Sequence, residues 1–438
     1  MLRFAFAFFG VCLTLLGALT DYETDAYAAA IFAILVGLSF TSLNRTARVF
    51  AVPCALLTGY SIAVERVAVD FSAGAFLFAF LTVSGSLRVA AANERSILAL
   101  GERLSKTATN RQFILVSLST AVFALVLLNG ALNFVSGIFA SKAGAPLADR
   151  LRITRTFISG FALNPILSPM AIPFVVVSST LPAISWPSIL PYLLICGGLV
   201  WLSGRVQNAA LPNAVEEDPI NEIKPKTLGP QTAAGSQVTA IALILTPIIT
   251  TIALVVFASL KPSVAAFVSV FLASLLWPGL RLKRPKLILS GYTIAINEAT
   301  IISSSLLLGT LFLIYFPTEW ERAAAALLFA AGPFAAALII VFFVGAGLIG
   351  LQPSISFLIS YTAVFPFVAA YGEATAPVYA ALIVGWALNS LVSPVGLPVM
   401  VVSQAFNIPS FDFALKHGKV FLCLSTVLTS LVLTFVMM

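Results

Sequence analysis

The chain has 438 residues, of which 60% are hydrophobic and 9% charged, and its mean hydropathy is +1.05; soluble domains carry about 25% charged residues. That composition excludes a water-soluble enzyme and describes an all-α polytopic membrane protein whose first partner is the lipid bilayer. The net charge of +7, from 24 Lys and Arg against 17 Asp and Glu, fits loops held on the cytoplasmic side of a membrane and not a nucleic-acid surface.

The first apolar run, residues 2–19, has no small-x-small cleavage site ahead of Asp21 and reads as an extra N-terminal transmembrane helix within residues 1–25. Runs at 26–43, 49–64 and 71–92 are each about one bilayer long. The next, 113–141, is too long for one upright helix, at about 1.5 Å per residue against a core of about 30 Å. It is flanked by Arg95, Arg103, Lys106 and Arg111 before and by Lys142, Arg150, Arg152 and Arg155 after. Both flanks belong on the cytoplasmic side, so the segment reads as a re-entrant hairpin bent near Leu128-Asn129-Gly130. In 156–184, Pro165, Pro169 and Pro173 cannot share one continuous helix, because each removes a backbone donor and clashes with the preceding turn.

The run at 189–203 then closes a first unit, 26–204, and residues 205–237, with Pro212, Pro219, Pro225 and Pro230, read as a cytoplasmic linker. A second unit, 238–438, holds runs at 238–260, 262–280 and 287–316, a second hairpin at about 338–366 inside the long run 323–365, a second broken helix at 377–406, and 420–438. Of the basic residues only Arg66, Lys261 and Arg322 then lie outside. The expected topology is eleven crossings plus two hairpins, N-terminus inside and C-terminus outside, in a bacterial inner membrane.

The two units repeat. Residues 160–179 read GFALNPILSPMAIPFVVVSS and 385–404 read GWALNSLVSPVGLPVMVVSQ, ten of twenty positions identical at a constant offset of 225. Coincident Asn, Ser and Pro at fixed spacing indicates duplication. With five crossings and a hairpin in each unit, the second copy is inverted.

Helix breaks at bilayer depth free backbone carbonyls, which are tolerated only where protein, water or an ion satisfies them. Asn164 and Ser168 stand at one break, Asn389, Ser393 and Gly396 at the other, and the hairpin tips add Asn129, Gly130, Asn133, Ser136, Gln352, Ser354 and Ser356. Half-helix N-termini favour an anionic group, and half-helix C-termini with unwound carbonyls favour a small cation.

The stretch Val392-Ser393-Pro394-Val395-Gly396-Leu397-Pro398, followed by Val401-Val402-Ser403, resembles the Pro-Pro-Val-Gly-Leu motif of the large membrane subunit of TRAP transporters. The order of hairpin, broken helix and helix in two inverted copies is similar to the wider ion transporter superfamily, including the divalent anion/sodium symporters. The resemblance implies a secondary active transporter with an elevator motion, coupling sodium held between hairpin tips and broken helices, a small organic anion as solute, and no other cofactor. Carried onto this chain, it places one ion site at Asn129, Gly130, Asn133, Asn164 and Ser168, and the other at Gln352, Ser354, Asn389, Ser393 and Gly396. The Ser-Asn-Thr tip motif of the symporters is replaced here by Asn129-Gly130-Ala131-Leu132-Asn133 and Gln352-Pro353-Ser354.

Glu298 reads as the one mid-membrane acid, a candidate for proton coupling or for a scaffold or homodimer contact. His417, beside Lys416 and Lys419, reads as a helix cap. Two alternatives stand beside a transporter of the symporter kind. One is a TRAP-like subunit that needs an extracytoplasmic binding protein. The other is an intramembrane lipid-processing enzyme, which a single His and the absence of an acid pair disfavour.

Overall fold

The computed structural model describes residues 2–20, 23–67, 69–92, 109–127, 131–132, 145–169, 171–181, 185–210, 233–276, 291–292, 295–315, 317–371, 375–394 and 396–438. Among them the chain is helical, without a strand. The first part holds α1 (Leu2–Leu19), α2 (Asp25–Ser39), α3 (Arg45–Ala63), α4 (Ser72–Ala92) and α5 (Thr109–Leu127). Next come α6 (Leu147–Leu167), α7 (Ile172–Thr180), α8 (Trp186–Ala209), α9 (Ala233–Ala258), α10 (Pro262–Leu276) and α11 (Ile296–Tyr315). The last six are α12 (Thr318–Ala331), α13 (Ala335–Leu348), α14 (Pro353–Tyr371), α15 (Ala376–Val392), α16 (Leu397–Ala405) and α17 (Lys419–Met437). Among the described residues, eight segments are long and apolar enough to cross a bilayer.

Packing sorts the helices into two groups. In one, α4 packs on α1, α2, α10 and α11, α11 on α3, and α9 on α10. In the other, α13 packs on α15 and α17, α6 on α5, α8 and α15, and α8 on α17. The apolar stretch through α6 and α7 is 88% buried, whereas those of α2 and α3 are 22% buried. The broken helix therefore runs through the middle of the protein. The first helices turn Phe9, Tyr27, Ile34 and Leu56 outward, a surface suited to lipid and not to water.

Small residues set the closest approaches, as expected where helices pack without a hydrophobic drive. A Cβ on Gly160 of α6 would lie 2.1 Å from the carbonyl oxygen of Ser117 in α5, and one on Gly385 of α15 would lie 2.9 Å from Phe343 Cδ2 in α13. These two glycines are 225 residues apart, so each copy of the repeat packs its broken helix through the same position on a helix that comes before it in the chain, α5 in one and α13 in the other.

Three sequence expectations change in detail. The run 323–365 contains a separate helix: Gly332, at φ +51, and Pro333, which has no N–H, end α12 in a 3-10 turn, Gly332–Phe334. The helix–turn–helix is then α13 with α14, longer at both ends than 338–366, while the amphipathic α12 packs on α14 through Phe329, whose ring centroid is 5.3 Å from that of Phe367. Secondly, α11 begins at Ile296, so Glu298 stands half-buried in its first turn and not eleven residues into a span. That start is pinned by Asn297 Oδ1, which accepts the Asn44 N–H at 2.9 Å, while Asn44 Oδ1 caps α3 by accepting the Ala47 N–H at 2.8 Å. Thirdly, α6 begins at Leu147, which takes Arg150, Arg152 and Arg155 out of the flanking loop and into the helix. The tip of the first hairpin, with Asn129, Gly130, Asn133 and Ser136, and most of the linker lie outside the described residues.

Candidate functional site

Both broken helices are interrupted in the same way. In the first copy α6 ends at Leu167, Ser168 turns extended (φ −90, ψ 125) while its N–H still donates to the Asn164 carbonyl at 3.0 Å, and the Ala171 N–H donates to the Ser168 carbonyl at 3.1 Å. In the second α15 ends at Val392, Ser393 turns extended (φ −70, ψ 123), its N–H donates to the Asn389 carbonyl at 3.0 Å, and the Gly396 N–H donates to the Ser393 carbonyl at 2.8 Å. Proline causes both breaks. Pro169 and Pro394 lack the N–H that would continue each helical ladder to the carbonyls of Pro165 and Ser390. The helices resume as α7 and α16, nine residues each, with Pro173 and Pro398 at their second positions, where no intrahelical donor is needed. Gly396 is required sterically: a Cβ there would lie 2.3 Å from the Ser390 carbonyl oxygen.

The breaks meet. α6 packs on α15, α7 on α15, and α16 on α6. Asn164 is 4% exposed, Ser168 2%, and Asn389 and Ser393 0%, so any polar atom there must find its partner inside the protein.

The second site is completed by the turn between α13 and α14. α13 ends in a Schellman arrangement: Gly350, at φ 87, donates its N–H to the Gly347 carbonyl at 2.9 Å, and the Leu351 N–H donates to the Ala346 carbonyl at 2.9 Å. Pro353 opens α14, with Gln352 and Ser354 buried around that start at 7% and 3% exposure. Asn389 is clamped beside this turn. Its Nδ2 donates to the Phe343 carbonyl at 2.9 Å and to Ser356 Oγ at 3.1 Å. The Phe343 carbonyl can only accept, which fixes the amide orientation and leaves Oδ1 as the free end. A Cβ on Gly347 would lie 3.0 Å from the Asn389 carbonyl oxygen and 3.1 Å from its Cα, so the turn rests on the break.

Three oxygens at the breaks are buried without a hydrogen-bond partner, Asn164 Oδ1, Asn389 Oδ1 and Ser393 Oγ, and Ser403 Oγ, further along α16, is in the same condition. Leaving a buried group of this kind unpaired costs about 1–3 kcal/mol. Such a set is a donor array for a hard cation and carries no net charge. Among the described residues no group of three His, Cys, Asp or Glu could hold a metal ion, so any ion bound here would rest on amide, hydroxyl and backbone oxygens. The opposing half-helices supply N-termini: α7 begins after Ala171 without a side-chain cap and α16 begins at Leu397, and leading N–H groups of this kind favour an anion.

Of the expected site residues, Asn389, Ser393 and Gly396 come together with the turn that carries Gln352 and Ser354, and Asn164 and Ser168 occupy the matching break. Ser356, expected at the same tip, holds the Asn389 amide. Ser403 was legible as the last of the ten identities of the repeat, because a serine kept in an apolar half-helix has a packing or binding reason to be there.

No family model matches the chain, and no curated protein does. Its fold is similar to a solved structure, the YdaH transporter of Alcanivorax borkumensis, described as having an unusual topology, with a TM-score of 0.55 at 13% identity over 90% of this chain and 99% of that one. Likeness at that identity speaks to architecture: the chain shares the polytopic helical fold of that structure.

Proposed function

We propose that the protein is a secondary active transporter of the inner membrane that moves a small organic, carboxylate-like anion, driven by sodium and working by an elevator motion of the α5–α8 and α13–α17 group. The observation that carries this reading is the matched pair of helix breaks with unpartnered oxygens, Asn164 Oδ1 in one copy and Asn389 Oδ1 with Ser393 Oγ in the other. Sodium bound at each break would meet carbonyl dipoles at half-helix C-termini, while the N-termini of α7 and α16 would face the carboxylate. The helix pairs before each break then act as re-entrant hairpins in an inverted repeat. Sodium is preferred to a proton as the coupling ion because Glu298, the acid named for proton coupling, stands on α11, which packs chiefly on α3 and α4 of the other group and to a lesser extent on α14.

The test is uptake by the purified protein in liposomes under an imposed sodium or proton gradient, with a panel of carboxylates. Asn164→Ala and Asn389→Ala are each expected to abolish sodium-driven uptake while the protein still inserts and purifies. Wild-type rates in both variants would remove the site assignment, and uptake driven by a proton gradient alone would remove sodium.

A further inference from the structure

Arg155, the ninth residue of α6, is 7% exposed. Its Nη2 donates to the backbone carbonyl of His417, which also accepts from Gln207 Nε2. Its Nε is buried and has no partner. The acids of the same region are taken: Asp149 pairs with Arg152 at 3.7 Å and Asp412 with Lys416 at 2.7 Å. Among the described residues the guanidinium therefore has a hydrogen bond to a carbonyl but no counter-charge, and burying a charge in that state is unfavourable.

Arg155 lines a cavity that it shares with Ser159, Gln207, Val392, Gly418 and Phe421. About 20 Å³ of it is open to the centre of a water-sized particle, which is room for about one such particle. Gly418 and Phe421 belong to the start of α17, a 19-residue helix whose N-cap, Gly418, offers no side-chain cap. Its first backbone bond within the helix is the Leu422 N–H to the Gly418 carbonyl at 2.9 Å, so the N–H groups of Lys419, Val420 and Phe421 have no helical acceptor. An uncompensated guanidinium and an uncapped helix N-terminus thus border one small space whose other walls are apolar apart from Ser159 and Gln207.

We propose that this cavity binds a monatomic inorganic anion of the chloride class, separate from the transported solute. Both polar elements favour negative charge, and the volume admits a halide but not a carboxylate or a phosphate. The anion neutralises Arg155 and joins α6 of the first repeat to α15, the π-helical turn Asp412–Lys416 and α17 of the second.

The test is thermal unfolding of the detergent-solubilised protein in sodium chloride, sodium bromide or sodium gluconate at fixed sodium and ionic strength. Chloride and bromide are expected to raise Tm saturably, and gluconate to have no such effect. In Arg155→Gln the half-saturating halide concentration is expected to rise at least tenfold, with Arg155→Lys between it and wild type. Should the Gln variant fail to fold, bromide anomalous scattering from wild-type crystals decides: a peak against Arg155 Nε supports the site. Equal Tm in chloride and gluconate, a bromide-soaked crystal without that peak, or displacement of bromide by a transported carboxylate would each overturn the proposal.

Discussion

Gly347 and Gly345 offer a matched perturbation of the contact between the α13–α14 turn and the break at Asn389. Both lie in the last turn of α13, and Ala at either position gains up to about 1 kcal/mol of helix preference over Gly. Their surroundings differ. A Cβ on Gly345 meets nothing within 4 Å, whereas one on Gly347 lies 3.0 Å from the carbonyl oxygen and 3.1 Å from the Cα and Cγ of Asn389. Ordinary carbon contacts need about 3.5 Å or more, so in Gly347→Ala the turn must withdraw by about 0.4 Å. Two of the crowded atoms are backbone and cannot swing aside, and Asn389 Nδ2 is held by Phe343 and Ser356. Overpacking of this kind costs about 1–3 kcal/mol, which exceeds the helix gain by up to about 2 kcal/mol, and about 1.4 kcal/mol is tenfold in affinity. The assay is the sodium-dependent rise in Tm of the purified variants, followed by uptake in liposomes. Gly345→Ala is expected to keep the wild-type sodium response with an equal or higher Tm, and Gly347→Ala to need about tenfold more sodium. If the two variants respond alike, the turn does not act on the ion through Asn389.

Gly396→Ala places a Cβ 2.3 Å from the Ser390 carbonyl; the break must open, and a loss of about 1–3 kcal/mol in stability together with loss of the sodium response is expected in the same unfolding assay. His417 is held below its ordinary pKa of 6.5 by burial first, then by Arg155 and Lys416, against the opposing pull of Asp412. The folded chain therefore binds this proton less readily than the unfolded one. The resulting stability is present above about pH 6.5 and falls away as pH drops toward the depressed folded value. Tm measured from pH 7.5 to pH 5 at about half-unit steps should decline less steeply in His417→Gln than in wild type; parallel curves would show that protonation of His417 does not contribute to the pH dependence.

The sequence was most legible where backbone chemistry left few choices. Pro169 and Pro394 forbid a continuous helix, and the structure breaks both helices one residue before them. Gly350 followed by Pro353 marked the second turn for the same reason: one residue accepts positive φ and the other opens a helix. The long run 323–365 was harder. An apolar stretch buried on several sides carries no period, so the Gly332-Pro333 pair alone divided it, and the run read as holding one hairpin at about 338–366 takes in three helices. Glu298 and Arg155 shifted meaning because hydropathy locates apolar residues and not helix starts. α11 begins nine residues later than its run at 287–316, and α6 begins nine residues earlier than its run at 156–184. The cost of the second shift was the only buried arginine among the described residues, hidden within what read as a cytoplasmic flank.

The arginines of α6 hold the second repeat by its main chain. Arg150 Nη1 donates to the carbonyls of Phe406 at 2.9 Å and Asn407 at 3.1 Å, just past the end of α16, and Arg155 Nη2 reaches the carbonyl of His417. Every residue has a carbonyl, so this tie does not depend on which side chains occupy positions 406, 407 and 417. Those positions are free to change without cutting it, and only Arg150 and Arg155 are indispensable to it. The two broken helices are thereby fastened by donors from one copy and featureless acceptors from the other, so that the paired breaks are held as one piece.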